Sequence, residues 1–131
     1  MFLFKTEVKV ATDPKMGCGL FTLEFIPKDS IVWKFIEDVD VKISVNKVKQ
    51  MSISQQEFFE KYGWIKGDYY YSSCDLTSFI NHSYSPNLDN TQEVTIALKD
   101  IKEGEELFTN YEEFDDCFNE YKDIFLEKNK I

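Results

Sequence analysis

Residues 79–87 read Phe79-Ile80-Asn81-His82-Ser83-Tyr84-Ser85-Pro86-Asn87. This polar stretch carries the only histidine of the 131-residue chain. A lone histidine is more often a satisfied core residue than a catalyst. No cysteine or aspartate stands at a nucleophile's spacing from it, so Ser-His-Asp and Cys-His chemistry find no support. Upstream lies Gly17-Cys18-Gly19. A glycine pair lets backbone approach a ligand closely or take positive φ. The third glycine and following helix of a dinucleotide fingerprint are missing. Downstream, Gly104-Glu105-Glu106-Leu107-Phe108-Thr109-Asn110-Tyr111 reads as a turn, a strand and a helix entrance. It ends on a tyrosine, whose hydroxyl can both donate and accept a hydrogen bond.

Outward from these stretches, short alternating runs predominate. Residues 2–11 suggest a strand, Asp13 to Gly19 a loop, and Leu20 to Ile26 a second strand. Pro27-Lys28-Asp29-Ser30 makes a turn, and Ile31 to Ile36 and Val39 to Val45 continue as strands. Tyr69-Tyr70-Tyr71, Thr77 to Ser83, Val94 to Leu98 and Leu107 to Thr109 read as short strands or strand ends. Two helices are expected. Ser54-Gln55-Gln56-Glu57 has a capping-box pattern, with Gly63 as a stop. Phe114, Phe118, Tyr121 and Phe125 form a helical stripe from about Glu113 to Lys128. Acids at its start and lysines at its end complement the helix dipole. The fold class is α+β, mainly β, in a single domain spanning residues 1–131.

Composition narrows the function. Twenty-four acids against 15 lysines and no arginine give a net charge of −9. Phosphate-tracking proteins need a basic surface, so direct nucleic-acid binding is not expected. An acidic chain suits a basic partner. Seven acids and no lysine fall between Glu103 and Asp116, a candidate docking surface for a basic peptide. Cys18, Cys74 and Cys117 form no CxxC pair, which speaks against a zinc site or a disulfide framework. Neither a signal peptide nor a membrane span is readable. The expectation is an intracellular, cytoplasmic protein that binds no metal.

Taken in order, the pieces reinforce one another. Gly17-Cys18-Gly19-Leu20-Phe21 is followed by Pro27-Lys28-Asp29-Ser30-Ile31-Val32-Trp33. Phe79-Ile80-Asn81-His82-Ser83 with Pro86-Asn87 comes next, then Ala97 through Leu107, then Asn110-Tyr111. This series resembles the SET-domain family of protein-lysine methyltransferases, above all its small single-domain members from microbes and viruses. The resemblance covers about residues 5 to 115. It implies a fold of several short-stranded sheets with a C-terminal pseudoknot, in which the Asn-His segment meets the tyrosine segment. The core would span about 5–111, and about 112–131 would form a helical lid.

The resemblance also implies S-adenosyl-L-methionine as cofactor, held by Met16, Gly17, Cys18, Gly19 and Leu20 largely through backbone. Asn81 and His82 would take its purine and amino-acid ends. Tyr111 would stand at the methyl-transfer point as the catalytic residue, in contact with the cofactor. Phe114 or Phe118 would cover the adenine. One of Tyr69, Tyr70 and Tyr71 would line the lysine channel with Phe108 and Thr109; alternation puts the candidates Tyr69 and Tyr71 on one face of their strand and Tyr70 on the other. Ser78, Thr109 and Asn110 depart from larger relatives, and the small Thr109 leaves room for more than one methyl. The implied substrate is a lysine of a basic protein, histone-like or ribosomal. From a virus or pathogen, such an enzyme would reach the host nucleus. It would act as a monomer or homodimer. The alternatives are a catalytically silent SET-like module that binds a basic peptide, and methylation of another acceptor such as a small amine.

Overall fold

The computed structural model describes residues 1–120. Its strands are short and fall into four small sheets, as the α+β, mainly β pattern predicts. Strands β1 (Thr6–Val10) and β2 (Cys18–Thr22) pair antiparallel, Thr6 opposite Thr22 and Val10 opposite Cys18. Between them Asp13 caps a 3-10 turn over Pro14–Met16, its carboxylate accepting the Lys15 N–H. Strand β3 (Ile31–Lys34) enters a three-stranded sheet with the later β8 (Leu88–Asp89) and β9 (Val94–Ala97), in the order β3-β9-β8. A third sheet joins β4 (Val41–Ser44), β6 (Tyr69–Ser72) and β5 (Trp64–Lys66) in the order β4-β6-β5.

The fourth sheet positions the site. Strands β7 (Asn81–His82) and β10 (Phe108–Thr109) are two residues each and run parallel. Asn81 faces Phe108, and His82 faces Thr109. A parallel pair needs a long crossover. The chain between them supplies it, with β8 and β9 on the way. The Asn-His segment thus meets the segment leading to Tyr111, as the family resemblance implies.

The core lies between the sheets. Leu20, Ile26, Val32, Leu88, Ala97, Ile101 and Leu107 are fully buried, and Ile80 nearly so. Each of the larger aliphatic side chains contributes on the order of 1.5–3 kcal/mol by leaving water. Ile80 and Leu107 directly precede the two short parallel strands, so core packing fixes the backbone at the site.

Local structure differs from the sequence expectation at four places. Helix α2 (Ile53–Tyr62) is capped by Ser52 with Gln55, two residues before the predicted box. It stops at Gly63 as expected, whose N–H bonds the Phe59 carbonyl at 2.9 Å. Val45 leaves the alternating strand and opens a short helix, α1 (Val45–Lys49), because the Ser44 hydroxyl caps it. Thr77 to Ser83 is not a continuous strand. The Asp75 carboxylate accepts the Thr77 N–H and bends Leu76–Phe79 into a 3-10 turn, leaving a strand of two residues.

The helix expected from Glu113 does not start there. Tyr111–Glu113 is a 3-10 turn capped by Asn110, and Phe114 leaves helical geometry at φ −136°. The reason is tertiary. The Asp116 N–H bonds the Ile65 carbonyl at 2.9 Å, its carboxylate accepts the Gly67 N–H at 2.7 Å, and Asp115 accepts the Ile65 N–H. These bonds to β5 outweigh the helical stripe. Helical geometry begins at Phe118. Tyr121, Phe125 and the rest of the expected lid helix lie outside the described residues. Among the described residues no helix is long and apolar enough to cross a membrane.

Candidate active site

The site is built around Tyr111. Its backbone N–H donates to Nδ1 of His82 at 3.0 Å, and its hydroxyl donates to the Ile80 carbonyl. With Nδ1 accepting, the imidazole is held neutral with its proton on Nε2. Burial pushes the His82 pKa down, against a smaller upward pull from Glu112. The ring is enclosed by Tyr84 at 4.5 Å, Phe118 at 5.2 Å and Tyr111 at 5.3 Å between centroids. His82 is therefore a packed anchor that orients the tyrosine segment. Burial, with Asp115 adding, raises the Tyr111 pKa, so the phenol stays protonated.

The residue before this anchor, Asn81, reaches the glycine loop. The Asn81 side-chain amide donates to the Cys18 carbonyl at 2.9 Å. The Ala11 N–H donates to the Gly17 carbonyl at 2.9 Å. Gly17 has φ +77°, and a Cβ added there would meet no atom within 4 Å. The loop thus offers bare backbone and open space at Gly17, while Gly19 is packed against Glu106 and Asn81. A cofactor gripped through main-chain groups fits such a cradle, with Met16 half-buried and Cys18 exposed at its edge. Among the described residues no group of three or more His, Cys, Asp or Glu side chains is arranged to hold a metal ion.

Tyr111 itself lines a cleft of about 1090 Å³. Its walls include Trp33, Phe35, Trp64, Tyr71, Thr109 and Phe114. The rings form one connected set. Trp64 stacks on Tyr71 at 5.9 Å and meets Trp33 and Phe114 edge-on, both at 6.0 Å. Phe114 meets Tyr111 at 5.8 Å. Such a wall suits an aliphatic stem ending in a cation or amine. Glu60, Glu93 and Asp115 stand among the lining residues.

The sequence-predicted residues divide between these two places. Tyr71 and Thr109 line the cleft. Tyr69 does not: it shares the strand face, since Lys42 lies over both rings at 4.4 and 5.7 Å, but it sits at the exposed strand start. Tyr70 points the other way, against Phe59. Phe108 is also outside the cleft wall, because in β10 its neighbour Thr109 takes that direction. Phe114 is in the cleft wall, whereas Phe118 is buried against His82. Sequence reasoning missed Trp33, Phe35 and Trp64. Their signal was composition: two tryptophans beside turns in a small domain.

The acidic run is not one surface. Glu112 and Glu113 are exposed, but Asp115 and Asp116 hold β5, Glu105 accepts the Lys102 N–H, and Glu106 is buried.

A family model described as the SET domain matches residues 17–112. The chain belongs to the SET-domain family. The solved structures similar to this SET domain include an active polycomb repressive complex 2 in the basal state. The match has a TM-score of 0.61 at 22% identity, covering 82% of this chain and 15% of that one. The Chaetomium thermophilum complex gives a TM-score of 0.65 at 21% identity, covering 92% of this chain and 17% of that one. An autoinhibited ctPRC2 bound to S-adenosylmethionine gives 0.65 at 19% identity, covering 95% and 17%. At these identities the likeness is one of fold. This SET domain spans less than a fifth of the length of those chains. A comparison with curated proteins found no match.

Proposed function

We propose that this SET domain is an S-adenosyl-L-methionine-dependent protein-lysine methyltransferase acting on a basic protein, histone-like or ribosomal. The observation that supports this most is the double engagement of Tyr111. Its main chain holds the ring of His82, the residue after the Asn81 that bonds the glycine loop, and its side chain lines the aromatic cleft. A group held at the loop and a side chain entering the cleft would meet at this tyrosine. S-adenosylmethionine bound to a structure of the same fold makes it the cofactor to test first.

When bound, the cofactor supplies an electrophilic methyl group. The loop Gly17–Leu20 would hold it through backbone, with Asn81 and His82 beside it. The cleft's task is to deliver a neutral amine, although a free lysine has a pKa of about 10.4. Trp64, Tyr71 and Phe114 form an apolar wall that disfavours the ammonium by desolvation. The Tyr111 hydroxyl oxygen, its proton given to the Ile80 carbonyl, would accept an amine N–H and so orient the lone pair. Alignment of this kind can supply roughly 7–11 kcal/mol of a barrier. Thr109 is small and buried in the cleft wall, which is compatible with more than one methyl on the amine. Asn110 caps the turn that carries Tyr111, so its departure from the family pattern has a structural use.

The test is mass spectrometry of histones and ribosomal proteins incubated with the protein and S-adenosylmethionine. Mass additions of about 14 Da on lysine, absent with Tyr111→Phe, are expected of a positioned acceptor site. No transfer together with no calorimetric cofactor binding would leave a peptide-binding module.

A further inference from the structure

Glu106 follows Glu105 in a run of surface acids, yet it is 94% buried, with a relative exposure of 6%. One carboxyl oxygen, Oε1, accepts the Thr12 N–H at 2.9 Å, across 94 residues of chain. The other, Oε2, is buried with no hydrogen-bond partner among the described residues. The same carboxyl lies on Gly19. A Cβ there would stand 2.4 Å from Oε1, 2.9 Å from Cδ and 3.2 Å from the Asn81 amide nitrogen. Main-chain bonds hold Glu106 in place. Its carbonyl accepts the Asn87 side-chain amide at 2.8 Å, and the flanking Leu107 N–H bonds the Leu20 carbonyl at 2.8 Å.

Burying a carboxyl is costly unless its hydrogen bonds are made. Here one oxygen, Oε1, accepts from the residue that opens the glycine loop and, with Cδ, packs against the residue that closes it. We infer that Glu106 is a positioning residue whose carboxyl fixes the conformation of the Thr12–Gly19 loop and, through it, the affinity for the cofactor. This rests on the methyltransferase reading for the identity of the ligand, but not for the clamp itself. Asn81 holds the same loop at Cys18, so the loop is braced from both of the paired segments. Burial, chiefly, raises the Glu106 pKa, with Asp13 adding and the Thr12 bond opposing, which fits a group retained for its acceptor and its shape.

Glu106→Gln keeps an acceptor for Thr12, whereas Glu106→Ala and the near-isosteric Glu106→Met remove it. Two readouts apply to the full chain: amide hydrogen exchange without ligand, and calorimetric titration with S-adenosylmethionine. Loss of the acceptor should speed exchange at Thr12 and the loop and weaken cofactor binding about tenfold, with peptide KM moving less than about twofold; Glu106→Gln should stay near wild type. Gly19→Ala should weaken the cofactor strongly alone but add less in the Glu106→Ala background, where only the Asn81 amide at 3.2 Å still crowds its Cβ. Unchanged Thr12 protection in both Ala and Met variants, or Gln falling as far as Met, overturns the inference. Should Ala not fold, Met against Gln decides. A wild type that binds no S-adenosylmethionine removes the methyltransferase reading, while the exchange data still judge the clamp.

Discussion

The Tyr111 backbone N–H and the His82 Nδ1 lie 3.0 Å apart although 29 residues separate them in the chain. The bond exists only while Nδ1 is unprotonated. It therefore ties the geometry of the candidate catalytic tyrosine to the charge of a buried ring.

That tie gives a pH dependence. The His82 pKa is lowered in the folded protein from its ordinary 6.5, first by burial. Above that value the ring is neutral in both folded and unfolded chains, and stability is unaffected. As pH falls through it the unfolded chain takes up a proton that the native state resists, so stability declines. Thermal melts from pH 8 to 5 should show a falling Tm, and His82→Asn should flatten that part of the profile. An equal fall in both proteins would assign the decline to other groups.

Tyr111→Phe removes the hydroxyl that bonds the Ile80 carbonyl but keeps the ring contacts to His82 and Phe114. The methyl-transfer rate should drop by about a hundredfold or more, while stability changes by only about 1 kcal/mol. Single-turnover assays beside a urea melt measure both. A rate within a few-fold of wild type would mean that another group orients the amine.

Tyr71 and Tyr69 sit on the same strand face, but only Tyr71 joins the cleft wall. Tyr71→Ala should raise peptide KM about tenfold, and Tyr69→Ala less than about twofold. Steady-state kinetics with a lysine peptide separates them. The reverse order would move the acceptor path along that face to the exposed start of β6.

The acids after Tyr111 divide by role. Asp116→Ala removes the bond to the Gly67 N–H and should cost about 1 kcal/mol in denaturant unfolding. Glu112→Gln with Glu113→Gln should leave unfolding unchanged, raise the KM for a basic peptide and reduce its salt dependence. If peptide KM ignores the glutamate pair, these two side chains are only charge at the end of the turn.

What was legible in the sequence follows from chain locality. Gly17-Cys18-Gly19, Asn81-His82 and Tyr111 each sit in a short motif whose residue types and order survive without knowledge of packing. The α2 stop at Gly63 and the strand at Tyr69-Tyr70-Tyr71 are equally local. Trp33, Phe35 and Trp64 were not legible as site residues, because they converge from β3 and β5, whose mutual placement no local pattern encodes. Glu106 was hidden among exposed neighbours of identical charge. The expected start of the last helix at Glu113 was displaced for a related reason. Its periodicity was real, but hydrogen bonds from Asp115 and Asp116 to a distant strand outweighed it.

The two-residue pairing of β7 with β10 also bears on how the molecule is made. Contacts that define the site span 29 residues at His82, 63 at Asn81 and 94 at Glu106. Closing loops of that size precedes any reward from the contact, so these pairings are expected late in folding. During synthesis the glycine loop emerges first and waits, unbraced, until residues beyond Glu106 leave the ribosome. A nascent or truncated chain lacking that segment would hold much of the β1–β2 hairpin and none of the completed site. Competence would then arrive as a single late event.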